Sequence, residues 1–200
     1  MARAFLLGLS ALALAGCSTL SPKPPPLSYS IPSRFSLTYP SSFAPSLSLS
    51  PDYQQRLDAF GEDTRPLPYE TLVTFGSPVF GACDQPHLRL EVGFTTLRFS
   101  TQDIPLRHLV EAYTRHVDKT LTNFSVVDSG LTVFCNYPAH RVVLTGRPKN
   151  SSCGEELTFV RNFVTRGNTF YMIGYTVPTG EYTTSRDNLE NILATFTFEE

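Results

Sequence analysis

The chain has 200 residues, 41% hydrophobic and 12% aromatic, which is enough apolar material for a core and about the length of one domain. Its formal charge is −2 at pH 7 and no stretch clusters Lys or Arg, which argues against nucleic acid as a partner. It also carries no amphipathic basic helix suited to anionic lipid heads.

The chain opens with one early cation, Arg3, and an almost wholly apolar run from Ala4 to Ala13. That run is too short to span a bilayer, which takes roughly 20 apolar residues, and it fits the n-region and h-region of a secretory signal. Leu14-Ala15-Gly16-Cys17 then places a cysteine directly after a small pair. This resembles a bacterial lipobox. The resemblance implies a thioether-linked diacylglycerol on Cys17, cleavage before it, acylation of the new amino group, and membrane anchoring by two or more acyl chains. Ser18 in place of Asp resembles the outer-membrane sorting pattern of Gram-negative hosts. Residues 1–16 thus read as a lipoprotein signal peptide and residues 17–33 as the lipidated cysteine with a Pro/Ser-rich tether. Pro22, Pro24, Pro25, Pro26 and Pro32 favour extended polyproline-like chain, which advances about 3.1 Å per residue.

Residues 34–200 read as one globular domain. Phe35, Leu37 and Tyr39 alternate as a first strand, Pro40-Ser41-Ser42 reads as a turn, and a short strand follows over Phe43–Leu49. Ser50-Pro51 is a helix-start signal, with Tyr53, Leu57 and Phe60 at helical spacing. Strands are expected over Leu72–Phe75 and Leu88–Thr95. The main helix is expected over Ile104–Thr122, capped by Asp103, with Leu106, Leu109, Tyr113, Val117 and Leu121 as its apolar stripe. Arg107, Glu111, Arg115 and Asp118 fall on its solvated side.

Strands Phe124–Asp128 and Leu131–Asn136 are expected to flank a turn or bulge at Ser129-Gly130. Ala139–Thr145, Glu156–Thr165 and Thr169–Val177 follow, the last two joined by a hairpin at Arg166-Gly167-Asn168. The strand Thr169–Val177 is apolar on both faces, which predicts cover on both. A helix over Ser185–Ala194, with Thr184 and Asp187 at capping-box spacing, and a short strand holding Phe196 and Phe198 close the chain.

Enzyme signatures are absent from the sequence: it has no GxSxG, HExxH, GxGxxG or P-loop, and no Ser/His/Asp spacing that supports a triad. His108 and His116 lie two helical turns apart, too far to chelate one ion without a third group. No catalytic, cofactor or metal residue is therefore assigned. Cys83, Cys135 and Cys153 form neither a CxxC pair nor a zinc pattern. In an exported protein one disulfide and one thiol are expected. If Leu88–Thr95, the main helix and Phe124–Asp128 make a right-handed crossover, Cys153 returns to the end that carries Cys83. Cys83–Cys153 is then the preferred pair and Cys135–Cys153 the alternative. Arg161 shares a face with Leu157, Phe159 and Phe163. It reads as a strand end reaching solvent, with a pocket-lining charge as the alternative.

Four local patterns point the same way. They are Leu37-Thr38-Tyr39-Pro40-Ser41-Ser42-Phe43, Tyr137-Pro138-Ala139-His140-Arg141-Val142-Val143, Gly167-Asn168-Thr169-Phe170-Tyr171-Met172-Ile173 and Asn191-Ile192-Leu193-Ala194-Thr195-Phe196-Thr197-Phe198. With the element order, they resemble the PsbP-like and DcrB-like domains over about residues 34–199. Phe43 stands where that group often carries tryptophan, and Arg147–Gly154 reads as an insertion. The resemblance implies an α/β (α+β) sandwich of PsbP-like type, with a central, mostly antiparallel sheet covered by helices on both faces. It also implies a non-enzymatic role in binding or assembly with another cell-envelope protein, with no cofactor. The alternative is a small-molecule or lipid-binding module with a cleft between sheet and helices.

Overall fold

The computed structural model describes residues 24–49, 71–78, 88–96, 105–149 and 154–200. The lipobox with Cys17, the expected helix after Ser50, and both cysteines of the preferred disulfide, Cys83 and Cys153, lie outside these residues.

Among the described residues, ten strands form two sheets. β1 (Leu27–Ile31), β2 (Phe35–Tyr39) and β10 (Thr197–Phe198) make a three-stranded sheet in the order β1-β2-β10. The others are β3 (Ala44–Leu49), β4 (Thr71–Gly76), β5 (Arg89–Thr96), β6 (Leu121–Phe134), β7 (Tyr137–Pro148), β8 (Leu157–Arg166) and β9 (Thr169–Pro178). They make a seven-stranded sheet ordered β3-β4-β5-β9-β8-β7-β6, antiparallel at every pairing. Helix α1 (Leu106–Thr120) lies between β5 and β6 in the chain, and α2 (Tyr182–Leu193) between β9 and β10.

The strand expected to be covered on both faces is β9, and every one of its residues is buried. Phe170 and Met172 join a core with Leu109, Val110, Tyr113 and Val117 of α1. Tyr171, Ile173, Tyr175 and Val177 join the larger core, with Phe35 and Leu37 of β2 and Leu189, Ile192 and Leu193 of α2. The second face is thus covered by the small sheet together with α2. Helices over both faces, as the sequence suggested, overstates the helical share: Phe35, Leu37 and Phe196 put a sheet layer there. Phe35 stacks on Phe196 with ring centroids 5.2 Å apart.

Several boundaries differ from the sequence reading for physical reasons. The domain starts before residue 34, because Leu27–Ile31 pairs antiparallel with β2 and half-buries Tyr29 and Ile31. Residues 27–31, which the sequence reading placed in the tether, are thus strand. α1 starts at Leu106, after Pro105, with no side-chain cap. α2 starts at Tyr182 after a 3₁₀ turn over Thr179–Glu181, so Thr184 lies inside it and bonds back to Glu181 O at 3.0 Å. β6 runs unbroken through Ser129-Gly130, and the reversal comes at Cys135-Asn136. Both turn residues have positive φ, 50° and 66°, the signature of a two-residue type I′ hairpin. The crossover strands β5 and β6 do run parallel in direction, with β9, β8 and β7 between them.

Candidate functional site

The sheet places two side-chain constellations that bear on function. The first is buried. Glu91 on β5 and Arg161 on β8 both face Gly174 on β9, which lies between them. With no side chain at Gly174, the two charges meet across the middle strand. Arg161 Nη2 pairs with Glu91 Oε2 and donates to Thr176 Oγ1 at 2.8 Å, while Nη1 donates to Tyr175 O at 2.6 Å. Thr176 Oγ1 donates to Glu91 Oε2 at 2.7 Å, and Arg89 Nε stands 3.3 Å from Glu91 Oε1. Arg161 is 3% exposed, so it is not a strand end reaching solvent, which corrects that reading of this residue. Burial alone would raise the Glu91 pKa. The guanidiniums of Arg161 and Arg89, helped by the Thr176 hydroxyl, outweigh it and hold the carboxyl below its usual value. Every charge here is answered by a protein group, and the network pins β5, β9 and β8 together.

The second constellation opens to solvent. A cleft of about 630 Å³ lies between the end of the β6–β7 hairpin, the C-terminal turn of α2 and the closing segment Phe196–Phe198. The alternation of β6 and β7 fixes its walls. Val142 and Leu144 of β7 enter the α1 core, so Ala139 and Arg141 face the other way, toward α2. The walls are aromatic: Phe134 stands 5.6 Å from Phe196, and Tyr137 meets Phe198 edge-on at 5.1 Å. The Arg166 guanidinium lies 5.9 Å from the Tyr137 ring centroid and 5.8 Å from that of Phe198, and it donates to Glu199 O.

Several polar groups of the cleft are held by protein partners. Arg141 grips Glu190 with both Nη1 and Nη2, and the Tyr175 hydroxyl donates to Glu190 Oε1 at 2.8 Å. Burial and the Glu190 carboxylate push the Tyr175 hydroxyl far above its ordinary pKa, so it remains a donor at any working pH. Asn162, 2% exposed, gives Nδ2 to Ile173 O at 3.3 Å. Cys135 donates its thiol to Phe196 O at 3.0 Å.

Cys135 follows Leu131 and Val133 at alternating spacing in the sequence, which would put it on their face of the strand. The turn instead half-buries it at the cleft, while Leu131 and Val133 are 85% and 69% exposed. It is a free thiol, and burial raises its pKa, so the thiolate that reacts with alkylating agents is scarce at neutral pH. Peptide-mapped iodoacetamide labelling should find Cys135 modified more slowly than a free cysteine peptide. Labelling at the peptide's rate would contradict the buried-thiol geometry.

A smaller apolar groove of about 550 Å³ is lined by Pro24, Pro25 and Pro26, by residues 38–42, and by Asn191, Ile192 and Thr195. Pro24, Pro25 and Pro26 therefore lie at the C-terminal end of α2, where Leu193 and Ala194 line the cleft. Among the described residues no group of three or more His, Cys, Asp or Glu could hold a metal ion, and no helix is long and apolar enough to cross a membrane.

No protein-family model and no curated protein sequence matches the chain. Solved structures do. The cyanobacterial PsbP protein CyanoP from Synechocystis superposes with a TM-score of 0.58 at 9% identity, over 92% of this chain and 98% of that one. The fold is PsbP-like. A protein from Bacteroides thetaiotaomicron matches this PsbP-like chain with a TM-score of 0.50 at 13% identity, over 86% of this chain but 48% of its own. LpqN from Mycobacterium tuberculosis, described as involved in cell envelope biogenesis, gives 0.45 at 15% identity, over 79% of this chain and 86% of that one. At such identities the likeness concerns the fold. The PsbP-like resemblance in the sequence rested on short motifs, and the architecture agrees with it. The cleft and the Glu91–Arg161 network were not legible in those motifs.

Proposed function

We propose that the mature chain is a lipid-anchored, non-enzymatic protein of the bacterial envelope that docks another envelope protein in the cleft at the end of the β6–β7 hairpin. One observation carries the docking reading. The cleft sets a mutually bonded group, Arg141, Glu190 and Tyr175, beside an aromatic wall of Phe134, Tyr137 and Phe198. Aromatic side chains beside paired charges are typical of the anchoring regions of protein interfaces. A small-molecule site would instead aim a few unspent polar groups at the ligand.

The anchor supports the same reading. Leu14-Ala15-Gly16-Cys17 supplies the lipid site, and the prolines that follow join the domain beside the cleft, at the membrane-tethered end of α2. In a Gram-negative host the expected place is the outer membrane, facing the periplasm. Cys17→Ser should release the protein from the membrane fraction and abolish palmitate labelling. Retention of both would refute the anchor.

Tyr137→Asp puts a charge into the aromatic wall and should reduce capture of the partner at least tenfold, with the far-UV spectrum unchanged. Native mass spectrometry of the purified full chain separates the two binding chemistries. A small molecule that copurifies at one to one would overturn the protein-docking reading.

A further inference from the structure

The seven-stranded sheet ends on β3 at one edge and β6 at the other, and the two edges differ. β3 is six residues long and carries Pro45, a common guard against edge pairing. β6 has 14 residues and no proline, lysine or arginine, and its single charge is Asp128. Its two register shifts lie between Thr122 and Ser125 and between Val126 and Asp128. From Asp128 to Phe134 the strand is regular, and among the described residues no strand pairs with the other side of its ladder. Leu131 is the midpoint of this regular stretch and is 85% exposed.

We propose that β6 pairs with β6 of a second copy of this chain, antiparallel about a two-fold axis at Leu131, joining two seven-stranded sheets into one. Centred there, all seven residues Asp128–Phe134 enter the ladder, about 23 Å of strand. The axis sets Leu131 against Leu131 and Val133 against Ser129, on the face that carries α1. Ser129 borders a groove of about 340 Å³ lined also by Val110, Val126 and His140, which receives the second copy's Val133. Charge placement favours this arrangement. Each Asp128 falls opposite Phe134 at an end of the ladder, so the two carboxylates stand about 20 Å apart, beyond the screening length at physiological salt. A parallel pairing would set Asp128 on Asp128.

So short an interface is weak in dilute solution. Tethering in a membrane plane raises the effective concentration that populates it. The ladder and the docking cleft meet at Thr132, Val133 and Phe134, whereas Leu131, at the axis, does not line the cleft.

The test uses the full chain in its own envelope, with a photo-crosslinking side chain at Ser129, Leu131 or Val133, and at Leu47 on β3 as control. The expected result is an adduct of twice the chain mass at Leu131, joined to the Leu131 region of the second copy. Ser129 and Val133 should reach each other reciprocally, and Leu47 should give no doubled adduct. Introducing Leu131→Asp into the Val133-labelled chain should remove the adduct. Absence of a doubled adduct at Leu131, a different protein joined there, or contacts in another register would each overturn the proposal. Because Leu131 does not line the docking cleft, its adduct reports on the β6 pairing and not on the partner proposed for the cleft.

Discussion

Glu91→Ala is expected to lower the unfolding free energy by about 3–5 kcal/mol, because it leaves Arg161 charged and buried beside Thr176 without its carboxylate. That is a large share of the roughly 5–15 kcal/mol that holds a typical domain. Urea denaturation measures it, and a loss below about 1 kcal/mol would contradict the network described here. The double variant Glu91→Leu with Arg161→Met separates the interaction from the site. Replacing both charges by apolar groups of similar size should recover most of the loss, since neither desolvated charge remains.

The same residue gives the stability a pH dependence of known sign. The folded carboxyl titrates below the ordinary 4.5. Its contribution is therefore complete above that value and is lost as pH falls through the lower, folded pKa. Between neutral pH and about pH 3, the wild-type chain should lose more stability than Glu91→Ala does, because only the former has this increment to lose. Parallel profiles would contradict the assignment.

Gly174→Ala is expected to be at least as damaging, about 3 kcal/mol or more. A Cβ at this position would run into the carbonyl oxygen of Val160 and lie 3.0 Å from the Arg161 Cα. These are backbone atoms of β8, an interior strand, so no side-chain rotation can relieve the clash. The substitution would also fill the gap through which Arg161 reaches Glu91. The expected outcome is a domain that is largely insoluble or unfolds at much lower urea. A soluble variant with wild-type stability would mean that β8 and β9 do not approach as described.

The elements that were legible in the sequence are those whose burial writes a period into the chain. Leu109, Tyr113 and Val117 at helical spacing marked α1, and the apolar residues on both faces of β9 predicted cover on both sides. Gly167 in a two-residue loop marked the β8–β9 turn, where its φ is 60°. Signals that depend on partners distant in sequence were missed. Arg161 looked like an exposed strand end because Glu91, its partner, is 70 residues away. The hint was a charge inside each of two largely buried strands, Glu91 in β5 and Arg161 in β8, with Gly174 in the strand between them. Ser129-Gly130 drew the turn to itself because glycine and serine favour reversals, yet Cys135 and Asn136 take the left-handed conformations there. Leu27, Tyr29 and Ile31 alternate as a strand should, but the prolines around them masked the pattern.

The cleft could not be read from the sequence at all. It exists because the β6–β7 hairpin, α2 and the closing strand converge, and its residues span positions 132 to 200. Aromatic content in the last third of the chain was visible, but whether those rings fill a core or wall a cleft depends on the register of β6 against β7.

The claim that this cleft docks another envelope protein is tested most directly by a photo-crosslinking side chain at Asn136, on its rim, in intact cells. Leu47, on the far edge of the sheet, serves as the control. The account predicts one reproducible adduct with a different protein from Asn136, weakened by Tyr137→Asp and absent from Leu47. No reproducible adduct from Asn136, or the same set of adducts from both positions, would contradict it.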